Sequence, residues 1–153
     1  MEFSALGTMR IVNRRARRDY QILEKYEAGI ALTGAEVKSV KGGRIKLEES
    51  FIRIKDTEAF LLNAHIPPYL PAGSRGYDPL RDRRLLLRKK EILTLSLQTT
   101  RSGLTIVPLS CYTKRGLVKL EIALAKGKKK YEKREAIKRR DIEREMEREL
   151  RGK

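Results

Sequence analysis

The stretch LTIVPLSCYTKRGLVKLEIALA, residues 104–125, decides the fold class. Every second residue from 118 to 124 is apolar, and the positions between them include a lysine and a glutamate. This two-residue period is that of an antiparallel strand with one buried face. Arg115-Gly116 supplies a tight hairpin turn. We therefore predict three strands here, over 104–109, 111–114 and 117–125.

Upstream segments repeat the strand pattern. Apolar residues alternate with polar ones between Tyr20 and Leu32, and Gly29 predicts a bulge or bend of the kind that helps to close a barrel. Residues 50–55 and 58–63 predict a second hairpin. Several short antiparallel strands without internal repeats favour a small closed antiparallel β-barrel of the OB-like kind, because closure removes exposed strand edges.

A short helix is predicted between the strands. Thr33 followed three residues later by Glu36 forms a capping box, which opens a helix over residues 34–40. Gly42-Gly43 ends it. The valines at 37 and 40 are expected to face inward, and the basic residues at 38, 41 and 44 outward.

The middle of the chain is more ambiguous. Leu85-Leu86-Leu87 predicts either a buried run or an apolar patch at a binding face. Residues 89–99 fit a helix or a strand equally well, and we predict a helix that ends at Ser102-Gly103. The fold class is therefore mainly β, with inserted short helices.

The charge of the chain points to a polyanionic partner. Its 36 basic and 20 acidic side chains give a net charge of +16. Such a field attracts RNA, DNA or an anionic membrane. Membrane is the weakest candidate, because no run approaches the roughly 18 apolar residues that span a bilayer. The single cysteine, Cys111, excludes an internal disulfide and fits a reducing cytoplasm.

Three parts are predicted along the chain: residues 1–9, a disordered leader or expression remnant; residues 10–125, the barrel; and residues 126–153, a basic tail with a net charge of +6. The stripe of Ile142, Met146 and Leu150 is too narrow to dock firmly on a core. The tail is therefore expected to be disordered or frayed when free and helical on an acidic partner. The alternative is a solvated charged helix without a role.

Two segments carry candidate phosphate contacts. Residues 10–18 hold five arginines in nine positions and predict an extended arm or an irregular lead-in to a first strand, in which Asn13 either caps a turn or bonds RNA. Residues 64–84 predict a long loop with Arg75, Arg81, Arg83 and Arg84 interleaved with Tyr69 and Tyr77. Such a loop suits phosphate contact plus stacking, or is simply a mobile excursion.

The sequence offers little for catalysis. His65 has no second histidine or cysteine with which to bind zinc, and no P-loop is present. Glu48-Glu49 supplies paired carboxylates, but nothing fixes them beside another acid. We predict a non-enzyme with no cofactor and no metal.

The motifs together resemble the small protein B (SmpB) family. The resemblance covers about residues 10 to 150. It is carried in order by Asn13-Arg-Arg-Ala-Arg17, Tyr26-Glu-Ala-Gly29, Gly34-Ala-Glu-Val-Lys-Ser39, His65-Ile-x-Pro68-Tyr69, Asp78-Pro-x-Arg81, Leu85-Leu-Leu87, Val107-Pro-Leu109 and Ala125-Lys-Gly-Lys-Lys129. It departs at the start of the tail, where Glu132 stands for the family's aspartate.

The resemblance implies an adaptor that binds the tRNA-like domain of transfer-messenger RNA and delivers it to stalled ribosomes. It implies one protein per RNA, no membrane, and contact of the tail with small-subunit rRNA in the decoding centre and message channel. The implied RNA-binding residues are Asn13, Arg14, Arg15, Arg17, Tyr20, Glu27, Glu36, Lys38 and Leu86. The implied decoding-centre residues are Gly127, Lys128, Lys129, Tyr131, Glu132, Lys133 and Arg134.

Two other functions remain open from the residues alone. A general OB-type binder of single strands, or a ribosomal protein, would need stacking aromatics, and an aromatic content of 6% without tryptophan argues against it. A metal-dependent nuclease would need its carboxylates brought together.

Overall fold

The structure is a computed structural model that describes residues 2–3, 9–128 and 130–151. Its helices are α1 (Arg14–Asp19), α2 (Gly34–Lys41), α3 (Lys89–Ser102) and α4 (Lys130–Arg151), with a 3-10 turn at Leu70–Ala72. Its strands are β1 (Glu2–Phe3), β2 (Met9–Val12), β3 (Tyr20–Ile30), β4 (Phe51–Lys55), β5 (Glu58–Leu62), β6 (Arg83–Leu86), β7 (Thr105–Lys114) and β8 (Leu117–Gly127).

The strands form one antiparallel sheet in the order β1-β2-β7-β4-β5-β6-β3-β8, and β8 also pairs with β7. The link between β4 and β7 is narrow, because its register is a single pair, Ile52 with Ile106. A mainly β fold with antiparallel strands and a few helices is therefore confirmed.

The sheet encloses one principal core. The inward residues of β8 lie there, and Leu120 and Ile122 have no exposed surface. Val40 of α2 and Leu95 of α3 are equally buried and cover the same cluster. The predicted alternation of β8 is confirmed, since Val118 and Leu124 belong to this core as well.

A smaller core lies on the other face of β7 and β8. Ala16 of α1 packs there against Leu109, Ala123 and Ala125. The small alanine side chains on the strand let the helix approach closely. Tyr20 lies partly buried at the margin of this cluster. Both faces of β7 are thus covered over much of its length, which explains its continuous apolar run.

Two predicted strands proved to be one. Residues 104–109 and 111–114 were predicted as separate strands, but β7 runs unbroken from Thr105 to Lys114. The register against β8 shifts between Pro108 and Ser110. The proline, which has no N–H to donate, is accommodated by this irregularity without ending the strand.

The irregularity in β3 also lies elsewhere than predicted. The register shift falls between Ile22 and Glu24, whereas Gly29 pairs regularly with Leu86 of β6 and Lys119 of β8. Gly29 instead lets the Leu86 side chain lie close to the β3 backbone, because a methyl group placed on Gly29 would lie 3.2 Å from the Leu86 Cβ.

Local signals for turns and helix ends are confirmed. The hairpin between β4 and β5 turns at Asp56 and Thr57, both with positive φ. Arg115 and Gly116 turn the next hairpin in the same way. Both members of the capping box at Thr33 and Glu36 are present.

The amino-terminal region differs from the prediction. Residues 10–18 were predicted as an extended arm or an irregular lead-in to a first strand. Their first part is the end of β2, as the second alternative expects, but the remainder is helix α1, which Asn13 caps. Residues 1–9 were assigned to a disordered leader, of which residues 1 and 4–8 lie outside the described part of the chain. Met9 is instead buried in the core, and Phe3 of β1 pairs with it.

The tail carries α4, which contacts α1. The backbone N–H of Lys128 donates to the Asp19 carbonyl at 2.9 Å, so the first part of the tail is held to α1 just before α4 begins. Ile142, Met146 and Leu150 are 47%, 59% and 77% exposed, as expected for a stripe too narrow to dock. None of the helices described is long and apolar enough to cross a membrane.

Candidate nucleic-acid interface

Glu27 is the centre of a polar cluster on the outer surface of the sheet. Its carboxylate accepts hydrogen bonds from the Tyr112 hydroxyl and, at 3.5 Å, from the Lys114 ammonium group. The Arg10 guanidinium lies over the Tyr112 ring at 4.8 Å from its centroid. We call Arg10, Glu27, Tyr112 and Lys114 the Glu27 cluster.

The hydrogen bond from Tyr112 is the main reason that the pKa of Glu27 lies below its ordinary value, with a smaller contribution from Lys114. Burial, followed by the bond to Glu27, raises the pKa of Tyr112. Glu27 therefore stays ionised and Tyr112 stays protonated near neutral pH. The exposed carboxylate retains acceptor capacity for amino or hydroxyl donors of a ligand.

An apolar notch adjoins the Glu27 cluster. Leu86 is 53% exposed and lies beside Gly29 of the neighbouring strand. Leu117 is 60% exposed and lines the same cavity, which has a volume of about 230 Å³. An exposed leucine next to an exposed carboxylate suits a ligand with both an apolar face and polar edges, as an unstacked base has.

A second, basic group lies at the other end of β3. Arg14, Arg15 and Arg17 of α1 are exposed, and the Lys128 ammonium group lies 3.5 Å from the Arg17 carbonyl. Gly127 at the end of β8 pairs with Tyr20. The beginning of the tail therefore adjoins the arginines of α1.

The structure does not bring these two groups together at one point. Tyr20 and Glu27 are seven residues apart on β3, which is about 23 Å at the rise of an extended strand. Each group is thus a separate contact region, joined by one continuous strand. A ligand that meets both must extend over that distance.

Asn13 is not available to a ligand in this structure. It is 2% exposed, and its Oδ1 accepts the N–H of Ala16 at 3.1 Å. Its Nδ2 donates to the carbonyls of Leu47 at 3.2 Å and Pro108 at 2.9 Å. The predicted cap is confirmed. The implied direct RNA contact is not supported, because every donor of the amide is already used within the protein.

Glu36 is also buried, which contradicts its assignment to a contact surface. The residue is 1% exposed. Its carboxylate accepts from the guanidinium groups of Arg81 and Arg83 and from the backbone N–H of Thr33. A buried carboxylate paired in this way is part of the framework.

The long loop is tied to this ion pair. Arg83 has no exposed surface, and it also donates to the Ala64 carbonyl at 2.7 Å and the Pro79 carbonyl at 3.1 Å. The Tyr77 hydroxyl donates to the Ile66 carbonyl at 2.7 Å. Arg83 and Tyr77 were predicted to offer phosphate contact and stacking, but both are used to hold the loop. Arg75 and Arg81 remain exposed, and Arg84 lies exposed on β6.

The remaining residues that were expected to bind RNA or the ribosome differ in their exposure. Lys38 is exposed on α2, and Tyr20 is half-buried against α1. Gly127 is exposed and Lys128 is half-buried beside α1. Lys129 lies outside the described residues. Tyr131, Glu132, Lys133 and Arg134 lie on the α4 backbone, and their side chains are outside the described part of the chain.

Sequence reasoning assigned no role to Tyr112 and Lys114 beside Glu27, and it counted Arg10 only among the arginines of residues 10–18. Arg10 pairs with Tyr112 in the register of β2 and β7, and Tyr112 pairs with Lys119 of β8. These residues lie far apart along the chain, so only strand register places them together. The available signal was the two-residue spacing of Tyr112 and Lys114 at the end of a strand that begins with an apolar run.

Comparison with known proteins identifies the family of this chain. The family model described as "SmpB protein" matches residues 10–152. The SsrA-binding protein of Sulfurihydrogenibium sp. (strain YO3AOP1) is 58% identical over 92% of this chain and 93% of that protein. The SsrA-binding protein of Persephonella marina is 54% identical over the same shares.

A solved structure is similar as well. A chain from "tmRNA-SmpB: a journey to the center of the bacterial ribosome" is 45% identical and has a TM-score of 0.66. The match covers 84% of this chain and 94% of that chain. With a family model spanning nearly the whole sequence and relatives above half identity, the chain belongs to the SmpB protein family.

Proposed function

We propose that this protein is an RNA-binding adaptor that binds the tRNA-like domain of transfer-messenger RNA and brings it to stalled ribosomes for trans-translation. The single observation that carries the proposal is the match to SsrA-binding proteins over nine-tenths of the chain. The solved relative named with tmRNA and the bacterial ribosome supports the same partners. The protein acts by binding, in the cytoplasm and as one copy per RNA, with no cofactor and no reaction of its own.

The sheet serves as the rigid scaffold. We propose that it is a closed OB-like barrel, supported by the pairing of β8 with both β3 and β7. A closed scaffold keeps the Glu27 cluster and the arginines of α1 at a fixed separation. Structured RNA is read largely by its shape, so fixed contact regions suit it.

The Glu27 cluster and Leu86 supply the selective part of the interface. The Glu27 carboxylate accepts from base amino groups or ribose hydroxyls, and Leu86 packs against an unstacked base. Arg14, Arg15 and Arg17 supply phosphate contacts, which position the RNA without reading its sequence. Asn13 acts indirectly, because it caps the helix that carries these arginines.

The tail supplies the ribosomal contact. Its basic first half, from Lys126 to Arg140, faces rRNA phosphates in the decoding centre and message channel, where the tail takes the place of the absent message. Removing residues 130–153 leaves both described cores intact. The truncated protein is therefore expected to keep its fold and most of its RNA affinity while losing ribosome rescue.

A competition assay tests the proposal. Labelled transfer-messenger RNA is bound to the full chain at two salt concentrations and challenged with excess tRNA and excess unpaired RNA. We expect the complex to survive at higher salt, because contacts beyond phosphates do not depend on counterion release. Displacement by unpaired RNA would instead indicate a general binder.

Two variants locate the site. Glu27→Gln removes the charge but keeps the size, and we expect it to weaken the specific complex about tenfold. Glu24→Gln is the matched control, since Glu24 lies on the same strand and also accepts from a tyrosine, the Tyr26 hydroxyl at 2.7 Å. Equal losses of RNA affinity in both variants would show that Glu27 has no specific part in the interface.

A further inference from the structure

The outward face of β4, β5 and β6 carries a concentrated set of aromatic and basic side chains. Strand register places Arg53 opposite Phe60 and Phe60 opposite Arg84. Phe51 lies on the same face of β4, opposite Leu62. The Arg53 guanidinium carbon is 5.7 Å from the centroid of the Phe51 ring. We call these five residues the aromatic face.

The two phenylalanines of this face are not core residues. Phe51, Phe60 and Leu62 belong to neither of the described hydrophobic clusters, although they alternate with buried Ile52 and Leu61, which do belong to the principal core. Both phenylalanines are half-buried on the outer surface of the sheet. The chain has only three phenylalanines, so two of them are placed on one outer surface.

Charge favours an anionic occupant. Arg53, Lys55 and Arg84 lie exposed on this face, against the single carboxylate of Glu58. Glu58 lies 3.8 Å from the Arg84 guanidinium, and both side chains remain about half exposed. A pair this exposed is weak and yields to a phosphate at little cost.

A polar cleft adjoins the face at its β4 edge. Phe51 and Arg53 line it together with hydroxyl-bearing residues, and its volume is about 340 Å³. The hydroxyl-bearing residues are Ser96, Thr99 and Thr100 of α3 and Thr105 of β7. The cleft lies where β4 and β7 are joined by a single register pair. Hydroxyl groups can donate to or accept from any base edge.

We infer that the aromatic face is a second RNA-binding surface, which stacks unpaired bases on Phe51 and Phe60 while Arg53 and Arg84 hold the flanking phosphates. Base stacking on aromatic rings tolerates any sequence, because every base has a π-face. The low aromatic content of the whole chain does not exclude this site, because base stacking requires only that the few aromatic rings lie together on one surface. The inference goes beyond the adaptor function, which rests on the Glu27 cluster and α1.

RNA fits this face better than a protein partner. Protein-binding patches are depleted of lysine, whereas Lys55 lies exposed on this face beside the arginines. Here two arginines flank the central ring in the same cross-strand row. Arginines interleaved with aromatics match a base-and-phosphate repeat instead.

The test uses the full chain and an unpaired RNA of about eight nucleotides that carries one 2-aminopurine. Binding is followed by the quenching of 2-aminopurine fluorescence, which reports stacking. We expect the double variant Phe51→Leu/Phe60→Leu to bind at least about tenfold more weakly and to lose the quenching, with an unchanged salt slope. Leucine keeps the apolar contact with the sheet, and equal thermal midpoints check that the fold is retained.

A second variant tests the phosphate contacts independently. Arg53→Gln/Arg84→Gln changes only exposed side chains, and we expect it to reduce the salt slope by about 1.4, the single-strand value for two phosphate contacts, while some quenching remains. Tyr69→Leu is the matched control, because Tyr69 is half-buried like the phenylalanines but lies on the loop between β5 and β6.

The inference is wrong if the phenylalanine variant keeps both its affinity and its quenching, as a protein-binding face would also predict. It is equally wrong if Tyr69→Leu loses as much affinity and quenching as the phenylalanine variant, because the site would then lie on the loop. Its failure is distinct from failure of the adaptor function. Glu27→Gln is expected to weaken only the structured RNA, and the phenylalanine variant mainly the unpaired RNA.

Discussion

Arg83 and Glu36 form a buried ion pair that joins the start of β6, directly after the long loop, to helix α2. The Arg83 Nη2 and Nε atoms lie 2.7 and 2.9 Å from the Glu36 Oε2. Neither side chain has exposed surface. The exposed Arg81 binds the other carboxylate oxygen, so one glutamate holds both an arginine of the loop and the first arginine of β6. The loop is thereby held beside β6, whose Leu86 belongs to the proposed interface.

Glu36→Gln is expected to destabilise the protein by about 3–5 kcal/mol, because it leaves the buried Arg83 without a counter-charge. The free energy of unfolding in denaturant measures the effect. Glu49→Gln is the control, since Glu49 is 83% exposed and lies 4.0 Å from Arg15. It should change stability by less than about 1 kcal/mol. Equal small losses in both variants would contradict a structural role for the pair.

Low pH is expected to weaken the ion pair between Glu36 and Arg83. Burial alone would raise the pKa of Glu36, but hydrogen bonds from the Thr33 N–H, Arg81 and Arg83 outweigh it and lower the pKa below its ordinary value of 4.5. The carboxylate therefore stabilises the fold fully above that value, and the stabilisation is lost as the pH falls through the lower folded pKa. Denaturation midpoints measured from about pH 6 to pH 3 should fall more steeply for the wild type than for Glu36→Gln. Parallel curves would show that other acids dominate.

Asn13→Ala is expected to lower stability by about 2–3 kcal/mol, since it removes a helix cap and the two buried hydrogen bonds that the Asn13 amide donates to the carbonyls of Leu47 and Pro108. The stability of Asn13→Ser should lie between those of the wild type and Asn13→Ala, because serine restores the cap but does not reach both carbonyls. Thermal unfolding followed by circular dichroism measures both. If Asn13→Ala loses RNA affinity with its stability unchanged, Asn13 contacts RNA directly.

Gly29→Ala is expected to weaken binding of structured RNA several-fold with little loss of stability. The added methyl group would lie 3.2 Å from the Leu86 Cβ and 3.3 Å from its Cδ1, so the leucine must move. Gly34→Ala is the matched control, because a methyl group there has nothing within 4 Å. Titration of each variant with transfer-messenger RNA provides the measurement. Unchanged affinity in Gly29→Ala would exclude Leu86 from the contact.

The sequence by itself determined the local elements of this protein. Alternation predicted β8 and the hairpin of β4 and β5, and Thr33 and Gly103 marked helix ends that the structure confirms. Each of these features depends on residues a few positions apart, so the physical cause is visible in a short window. The net charge of +16 likewise indicated a polyanionic partner without any knowledge of the fold.

Tertiary structure alone decided which polar residues face a ligand. Asn13 and Glu36 look like surface groups in the sequence, yet both are buried, because their partners lie as far away as Pro108 and Arg83. Conversely, Tyr112 meets Glu27 and Phe60 meets Arg53 only through strand register. A shift of one residue in that register would turn each of these side chains to the opposite face. Pairing between distant strands, which no local pattern encodes, therefore separates the framework from the interface.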